Sequence, residues 1–230
     1  MELFEAHFSQ LEGNLYYDPT TASYDMFKGC GEGKHLTYLT FRELFKNMGG
    51  RRNLTILETG VAAYGTRSTY LFNEYVRKYG GRFWSVDINP KEIAKHASSM
   101  CPATTLVCDD SVHFLDAWVK ERAPSGEEVK ADVVYLDSCD LDYSNPEPSA
   151  THGLKEYLAV LPALQPGSLL LIDDTPATPY WVDFRGPDHL KMEHYYAANG
   201  RMPGKGMYVL DFAPLSASEL IHNFQVLYKF

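Results

Sequence analysis

From Asn53 onward, short apolar runs rich in β-branched residues alternate with amphipathic stretches of helical length. Leu54 to Glu58, Phe83 to Asp87, Thr105 to Cys108, Asp132 to Asp137 and Leu169 to Asp173 read as strands, each followed by a loop and a helix-compatible segment. Runs that are apolar on both faces belong in a mostly parallel sheet covered by helices on both sides. Five such units predict an open, doubly wound, Rossmann-like α/β sheet, in which ligands bind beyond the carboxyl ends of the strands.

The rhythm changes after the fifth strand. A Pro-rich turn at Thr175 to Pro179 leads to a helix near His189 to Asn199, then to two further apolar runs, Met207 to Phe212 and Phe224 to Phe230, read as strands. Only Ala213 to Asn223 joins them, too short for a helical crossover but enough for a hairpin, so the last strand should be antiparallel. The first fifty residues lack the alternation. Leu36 to Met48 reads as a helix whose imperfect apolar stripe (Leu36, Leu39, Leu44, Phe45, Met48) ends at Gly49-Gly50. Upstream, Tyr16, Tyr17, Tyr24 and Phe27 mix with Gly29, Gly31 and Gly33. That mixture suits either a lid over an active site or, more plainly, a packing arm or a dimer contact in a homo-oligomer. The chain thus divides into a helical or lid segment at 1–50 and one α/β domain at 51–230.

Composition narrows the partners. A chain of 230 residues with 45% hydrophobic content can fill the core of one such domain. Its 30 acidic and 21 basic residues give a formal charge of −9, and no Lys/Arg run exceeds Arg51-Arg52, so neither nucleic acid nor an anionic membrane surface is an expected partner. Cys30, Cys101, Cys108 and Cys139 form no CxxC pair and read as reduced thiols. The first residues lack the features of a signal peptide, and no apolar run approaches the ~20 residues that span a bilayer. A cytoplasmic location is the expectation.

Candidate chemistry gathers at the strand ends. The segment 53–69 runs from a strand through a glycine-containing loop into a helix. Gly60 and Gly65 allow close backbone approach to a ligand, and Thr66 or Ser68 could cap the helix. The loop lacks the third glycine of a dinucleotide fingerprint, which places an NAD-dependent oxidoreductase further behind. Asp87 closes the second strand, where a carboxylate can accept both hydroxyls of a ribose. Asp110 and Ser111 close the third, and either also suits the start of a helix at Val112 to Arg122. Strands four and five should be neighbours, which brings Asp137, Asp173 and Asp174 together. Three acids at one spot repel, and a divalent cation held by oxygens relieves them: magnesium, calcium or manganese rather than zinc.

These segments resemble those of class I S-adenosylmethionine-dependent methyltransferases. An acid at the end of the first strand followed by two spaced glycines is similar to motif I of that class, and the closing strand pair resembles its seven-stranded sheet of order 3-2-1-4-5-7-6. The resemblance implies that Glu58 lies near the cationic amino-acid end of S-adenosylmethionine and that the backbones of Gly60 and Gly65 face its methionine part. Asp87 would hold the ribose, Asp110 the adenine amine, and Ser111 would lie alongside the ring; Ser68 and Asp137 are counted with this set. The loop is one residue longer than the commonest form, so Ala62, Ala63 and Tyr64 carry no assigned contact.

The Asp137 and Asp173-Asp174 pairing resembles the metal-dependent small-molecule O-methyltransferases, of the catechol and caffeoyl type and of the macrolide-sugar and aminocoumarin-sugar type. That implies Asp137, Asp173 and Asp174 as metal ligands, with Mg2+, Mn2+ or Ca2+ lowering the pKa of the acceptor hydroxyl. One position departs from the pattern: the catechol type has a catalytic lysine three residues after the first aspartate, and Asp140 stands there. Asp137, Asp140 and His152 are the remaining candidates for the base. Lys205, between Gly204 and Gly206, reads as a turn lysine before the sixth strand, solvated or steering an anionic acceptor. The other histidines read as surface or core residues. The leading expectation is metal-assisted O-methylation of a small-molecule hydroxyl. A metal-independent N-methyltransferase or other S-adenosylmethionine enzyme, and a non-catalytic Rossmann-like binding subunit, are the alternatives.

Overall fold

Alternation along the central strands builds the molecule. In a strand successive side chains point to opposite faces. Val133 and Tyr135 of the strand Val133–Leu136, and Leu169 and Leu171 of Leu169–Ile172, enter one apolar layer, while Val134, Leu136, Leu170 and Ile172 enter the other. A strand with both faces covered has no polar side, which is why these segments are continuously apolar.

A computed structural model describes residues 1–18, 20–25, 33–61, 65–122, 129–179, 187–213 and 218–230. Its strands are β1 (Tyr16–Asp18), β2 (Ser23–Asp25), β3 (Leu54–Thr59), β4 (Gly81–Asp87), β5 (Thr104–Cys108), β6 (Val133–Leu136), β7 (Leu169–Ile172), β8 (Ser218–His222) and β9 (Val226–Lys229). Its helices are α1 (Glu2–Phe8), α2 (Tyr38–Met48), α3 (Ser68–Tyr79), α4 (Pro90–Ala97), α5 (Ser111–Arg122), α6 (Glu147–Val160), α7 (Pro187–Asn199) and α8 (Met207–Phe212).

β1 and β2 form a small antiparallel pair, and the other seven strands form one sheet of order β5-β4-β3-β6-β7-β9-β8. Five of these pair in parallel. β9 runs antiparallel to both β7 and β8. Counted from β3, this is the order 3-2-1-4-5-7-6 expected of the methyltransferase sheet. The carboxyl ends of β3, β4, β5, β6 and β7 therefore open on one edge.

Helices α2 and α3 cover one face with Phe41, Leu44, Phe45, Met48, Phe72 and Tyr75, and Phe4 and Phe8 of α1 join the same layer. The opposite face is covered by α5, α6 and α8, through Leu115, Trp118, Tyr157, Val160 and Val209. Residues of the first fifty thus complete one wall of the sheet. Gly49 ends α2 in the left-handed conformation, as its position predicts. Phe27, Gly29, Gly31 and Cys30 lie outside the described residues.

One predicted element is different. Met207 to Phe212 is the helix α8, and the sixth strand of the sheet is β8, inside the segment read as a loop. A six-residue run of five apolar side chains and Asp211 fits either period, so its own sequence does not choose. The edge position beside β9 is filled instead by Ser218–His222, whose residues are exposed or half-buried and carry little apolar signal.

Candidate active site

Glu58, near the end of β3, is fully buried. Its Oε1 accepts from Ser68 Oγ, and its Oε2 from Thr69 Oγ1 and Ser85 Oγ, all at 2.6 Å. Burial pushes this carboxyl up to about 7 against those three hydroxyls, which favour the charged form. The carboxylate pins the start of α3 to β3 and β4 beneath the loop. Ser68 is equally buried and caps no helix; Arg67 occupies the cap position of α3.

Above it, Gly60 has φ 79° and lies so close to the next strand's loop that a Cβ would sit 2.5 Å from the carbonyl oxygen of Asp137. Only glycine combines that conformation with that approach. Gly65 is exposed, with φ 56°. His7 Nε2 donates to the Thr66 carbonyl at 2.8 Å, and Thr37 Oγ1 lies 3.0 Å from Thr66 Oγ1, so α1 and the start of α2 brace the far end of the loop. Ala62, Ala63 and Tyr64 lie outside the described residues.

A cleft of about 590 Å3 runs along the carboxyl edge from this loop. It brings together Gly60, Asp87, Asp110, Ser111, Asp137, Asp140, His152 and Asp174 of the expected residues; Glu58, Ser68, Gly65 and Asp173 do not line it. Asp87 accepts from Val61 N at 3.1 Å and from Asn89 N at 2.7 Å, which fixes its carboxylate at the end of β4. Asp110 Oδ1 accepts from His113 N at 2.9 Å and so caps α5 at the cleft wall.

Ser111 Oγ lies 2.8 Å from His152 Nε2 and donates to Ser138 Oγ, which donates to the buried Glu156. Glu156 raises the His152 pKa, with burial opposing. His152 Nε2 is engaged along this wall by Ser111. Asp140 is exposed at the mouth, its carbonyl accepting from Ser149 Oγ at 2.6 Å.

The three aspartates meet as the strand order requires, and a lysine stands among them. Lys205 Nζ is 2.8 Å from Asp137 Oδ1 and 3.1 Å from Asp174 Oδ2, and the residue is only 5% exposed. Tyr135 OH donates to Asp173 Oδ2 at 2.7 Å and lies 3.2 Å from Asp137 Oδ2, while Asp173 Oδ1 accepts from Gln225 Nε2 at 2.7 Å and Asp174 N at 2.9 Å. Burial and the neighbouring Asp173 push the Asp137 pKa well up. Asp173 is held below its ordinary value: burial works the other way, but Lys205 and hydrogen bonds from Asp137, Tyr135 and Gln225 prevail. Burial lifts Asp174 to about 6 against the pull of Lys205. Burial opposes the Lys205 charge, but Asp137, Asp174 and Asp173 outweigh it and hold the ammonium well above its usual pKa.

This donor set does not fit the expected magnesium, manganese or calcium ion. Five of the six carboxylate oxygens are already engaged by protein donors, and the cationic position between the two strand ends holds an ammonium. A divalent ion needs those oxygens as ligands at 2.0–2.6 Å, where the lysine would repel it. Among the described residues no group of three Asp, Glu, His or Cys side chains is placed to hold a metal. Metal binding by Asp137, Asp173 and Asp174 is not supported by this arrangement.

The family model described as a methyltransferase domain matches residues 57–175, just over half of the chain. The chain belongs to this family. No curated protein matches the sequence significantly. Among solved structures, the methyltransferase is similar to the CurJ carbon methyltransferase (15% identity, TM-score 0.47, 84% of this chain and 53% of that one). It is also similar to the O-methyltransferase NovP (14%, 0.45, 83% and 78%) and to LepI in complex with SAM (12%, 0.46, 81% and 46%). The chain spans about half the length of the CurJ protein.

Lys205 is the residue that sequence reading undervalued in this methyltransferase. Its signal was the pair of flanking glycines. A Cβ on Gly204 would stand 2.8 Å from the Asp174 carbonyl oxygen, and one on Gly206 would stand 2.7 Å from Thr175 Oγ1, so the turn is pressed against the end of β7. Lys205 N donates to that same Asp174 carbonyl at 2.9 Å. Trp181 and Phe184, which follow the fifth parallel strand, lie outside the described residues. No helix among the described residues is long and apolar enough to cross a membrane.

Proposed function

We propose that this methyltransferase moves the methyl group of S-adenosylmethionine to a hydroxyl of a small-molecule acceptor. The observation that carries the reading is the single cleft in which Gly60, Asp87, Asp110 and Ser111 line one end and Asp137, Asp174 and Lys205 the other. Asp87 suits the two ribose hydroxyls, because an ionised carboxylate accepts and never donates. Asp110 and Ser111 stand at the adenine edge, and the Gly60 backbone admits the methionine part. The formal charge of −9 favours a small or cationic acceptor over nucleic acid.

The sulfonium is already a good leaving group, so the protein has to align the acceptor and remove its proton. Asp174 is the most accessible acid of the trio, its side chain 26% exposed against 17% for Asp137, with Asp173 buried. Lys205 holds Asp174 on one oxygen. As the acceptor oxygen takes the methyl, its proton passes to Asp174, and the carbon–sulfur bond electrons leave as the thioether of S-adenosylhomocysteine. No step passes through a metal. Calorimetric titration with S-adenosylhomocysteine and with NAD, followed by labelled methyl transfer into a metabolite pool, tests this reading. Heat with S-adenosylhomocysteine and label in a methyl ether are expected. Binding of NAD alone, or no transferred label, would overturn it.

A further inference from the structure

Resting on that reading of the cleft, we infer that Lys205 is the resident cation of this active site, occupying the position between β6 and β7 that a divalent ion would otherwise take, and that methyl transfer here needs no metal. Geometry argues for it first. Asp137 follows β6 and Asp174 follows β7, two strand ends that a bridging ion must join, and one ammonium nitrogen reaches both, at 2.8 and 3.1 Å. An ion bound to Asp137 Oδ1 would share that oxygen with Nζ, two cations in contact inside a buried site, so occupancy is exclusive.

The backbone argues for it independently. A surface lysine reaches an acid by chance and loses it to solvent. Lys205 cannot withdraw, because its own amide donates to the Asp174 carbonyl and Gly206 N donates to Thr175 Oγ1. On the other side Gly153 of α6 lies against it, where a Cβ would fall 2.5 Å from the Lys205 carbonyl oxygen. Three glycines thus seat one lysine against the sheet edge.

Lys205 acts through Asp137 and Asp174 and is a positioning residue: it fixes the accepting carboxylate and offsets the charge of its neighbours. Asp173 is secured from behind by Tyr135 and Gln225, and Tyr135 OH also lies 3.2 Å from Asp137 Oδ2. Removing only the lysine therefore leaves an oxygen-rich vacancy of the kind divalent ions enter.

The test uses the full chain and Mn2+ followed by electron paramagnetic resonance, with methyl transfer assayed in EDTA and in excess Mg2+. Wild type is expected to bind no Mn2+ in the cleft and to keep its activity in EDTA. Lys205→Met is expected to gain Mn2+ affinity by about tenfold or more, because each carboxylate released adds a charged ligand. Adding Asp174→Asn should abolish that gain, and Lys205→Arg should show none. Mg2+ should restore part of the activity lost in Lys205→Met, a rescue that a purely structural lysine would not permit. Mn2+ binding by wild type that Asp174→Asn removes, loss of wild-type activity in EDTA with recovery in Mg2+, or a folded Lys205→Met that gains no Mn2+ would each overturn the inference. If Lys205→Met does not fold, the wild-type measurements decide alone. S-adenosylhomocysteine titrated into the same wild-type sample separates the two readings: failure to bind it strikes the methyltransferase proposal and not the lysine.

Discussion

Glu58 offers the sharpest quantitative test. Its carboxyl group is fully buried under the glycine-containing loop after β3, and burial lifts its pKa to about 7 from an ordinary 4.5 despite three hydroxyl donors. A folded-state pKa above the unfolded one means that the native protein binds this proton more tightly. The resulting stability is present in full below pH 4.5 and is lost as pH rises through 7. At about 1.4 kcal/mol per pH unit the ceiling is about 3 kcal/mol, and about 2–3 kcal/mol of it falls between pH 5 and pH 8.

Glu58→Gln keeps the shape and cannot ionise. It loses an acceptor for one of the three hydroxyls, a fixed cost of about 1 kcal/mol that does not vary with pH. Urea unfolding of both proteins at pH 5, 6, 7 and 8 isolates the effect, because other titrating groups cancel in the difference. The variant should be the less stable at pH 5 and should gain on wild type by about 2–3 kcal/mol by pH 8. A difference that stays flat within about 0.5 kcal/mol would refute the reasoning, since it would mean that the three hydroxyls outweigh burial and Glu58 is ionised throughout.

Three further outcomes follow from the cleft. Gly60→Ala places a methyl 2.5 Å from the Asp137 carbonyl oxygen at φ 79°; a loss of about 2 kcal/mol or more in urea unfolding is expected, with S-adenosylhomocysteine affinity down at least about tenfold by calorimetry. Asp87→Asn keeps an acceptor for Val61 N but removes the charge, so KM for S-adenosylmethionine should rise by about tenfold while kcat changes little in steady-state assays. Asp174→Asn should lower kcat by about 10²-fold or more with S-adenosylhomocysteine binding retained, and an unchanged kcat would move the proton acceptor elsewhere.

Local patterning determined much of this protein. The apolar runs at Val133–Leu136 and Leu169–Ile172, set between loops and helix-compatible segments, read as strands covered on both faces, and their alternation with helices pointed to a parallel sheet whose carboxyl ends carry Asp87, Asp110, Asp137 and Asp174. Those residues were legible because the end of a strand is a position in the sequence, and topology converts such positions into neighbours. Helix α8 was not legible, since five apolar residues interrupted by Asp211 satisfy two periods and only the competition of Ser218–His222 for the sheet edge decides between them.

Glu58 could be placed at a strand end, but its burial beneath Ser68, Thr69 and Ser85 depends on three segments meeting. The cation of the site was likewise a tertiary decision. Sequence adjacency showed acids that must be neutralised, and electrostatics demanded a positive charge without naming it. Lys205 lies 68 residues from Asp137, and only the folded chain, with glycines permitting close backbone contact, brings its ammonium to 2.8 Å from that carboxylate.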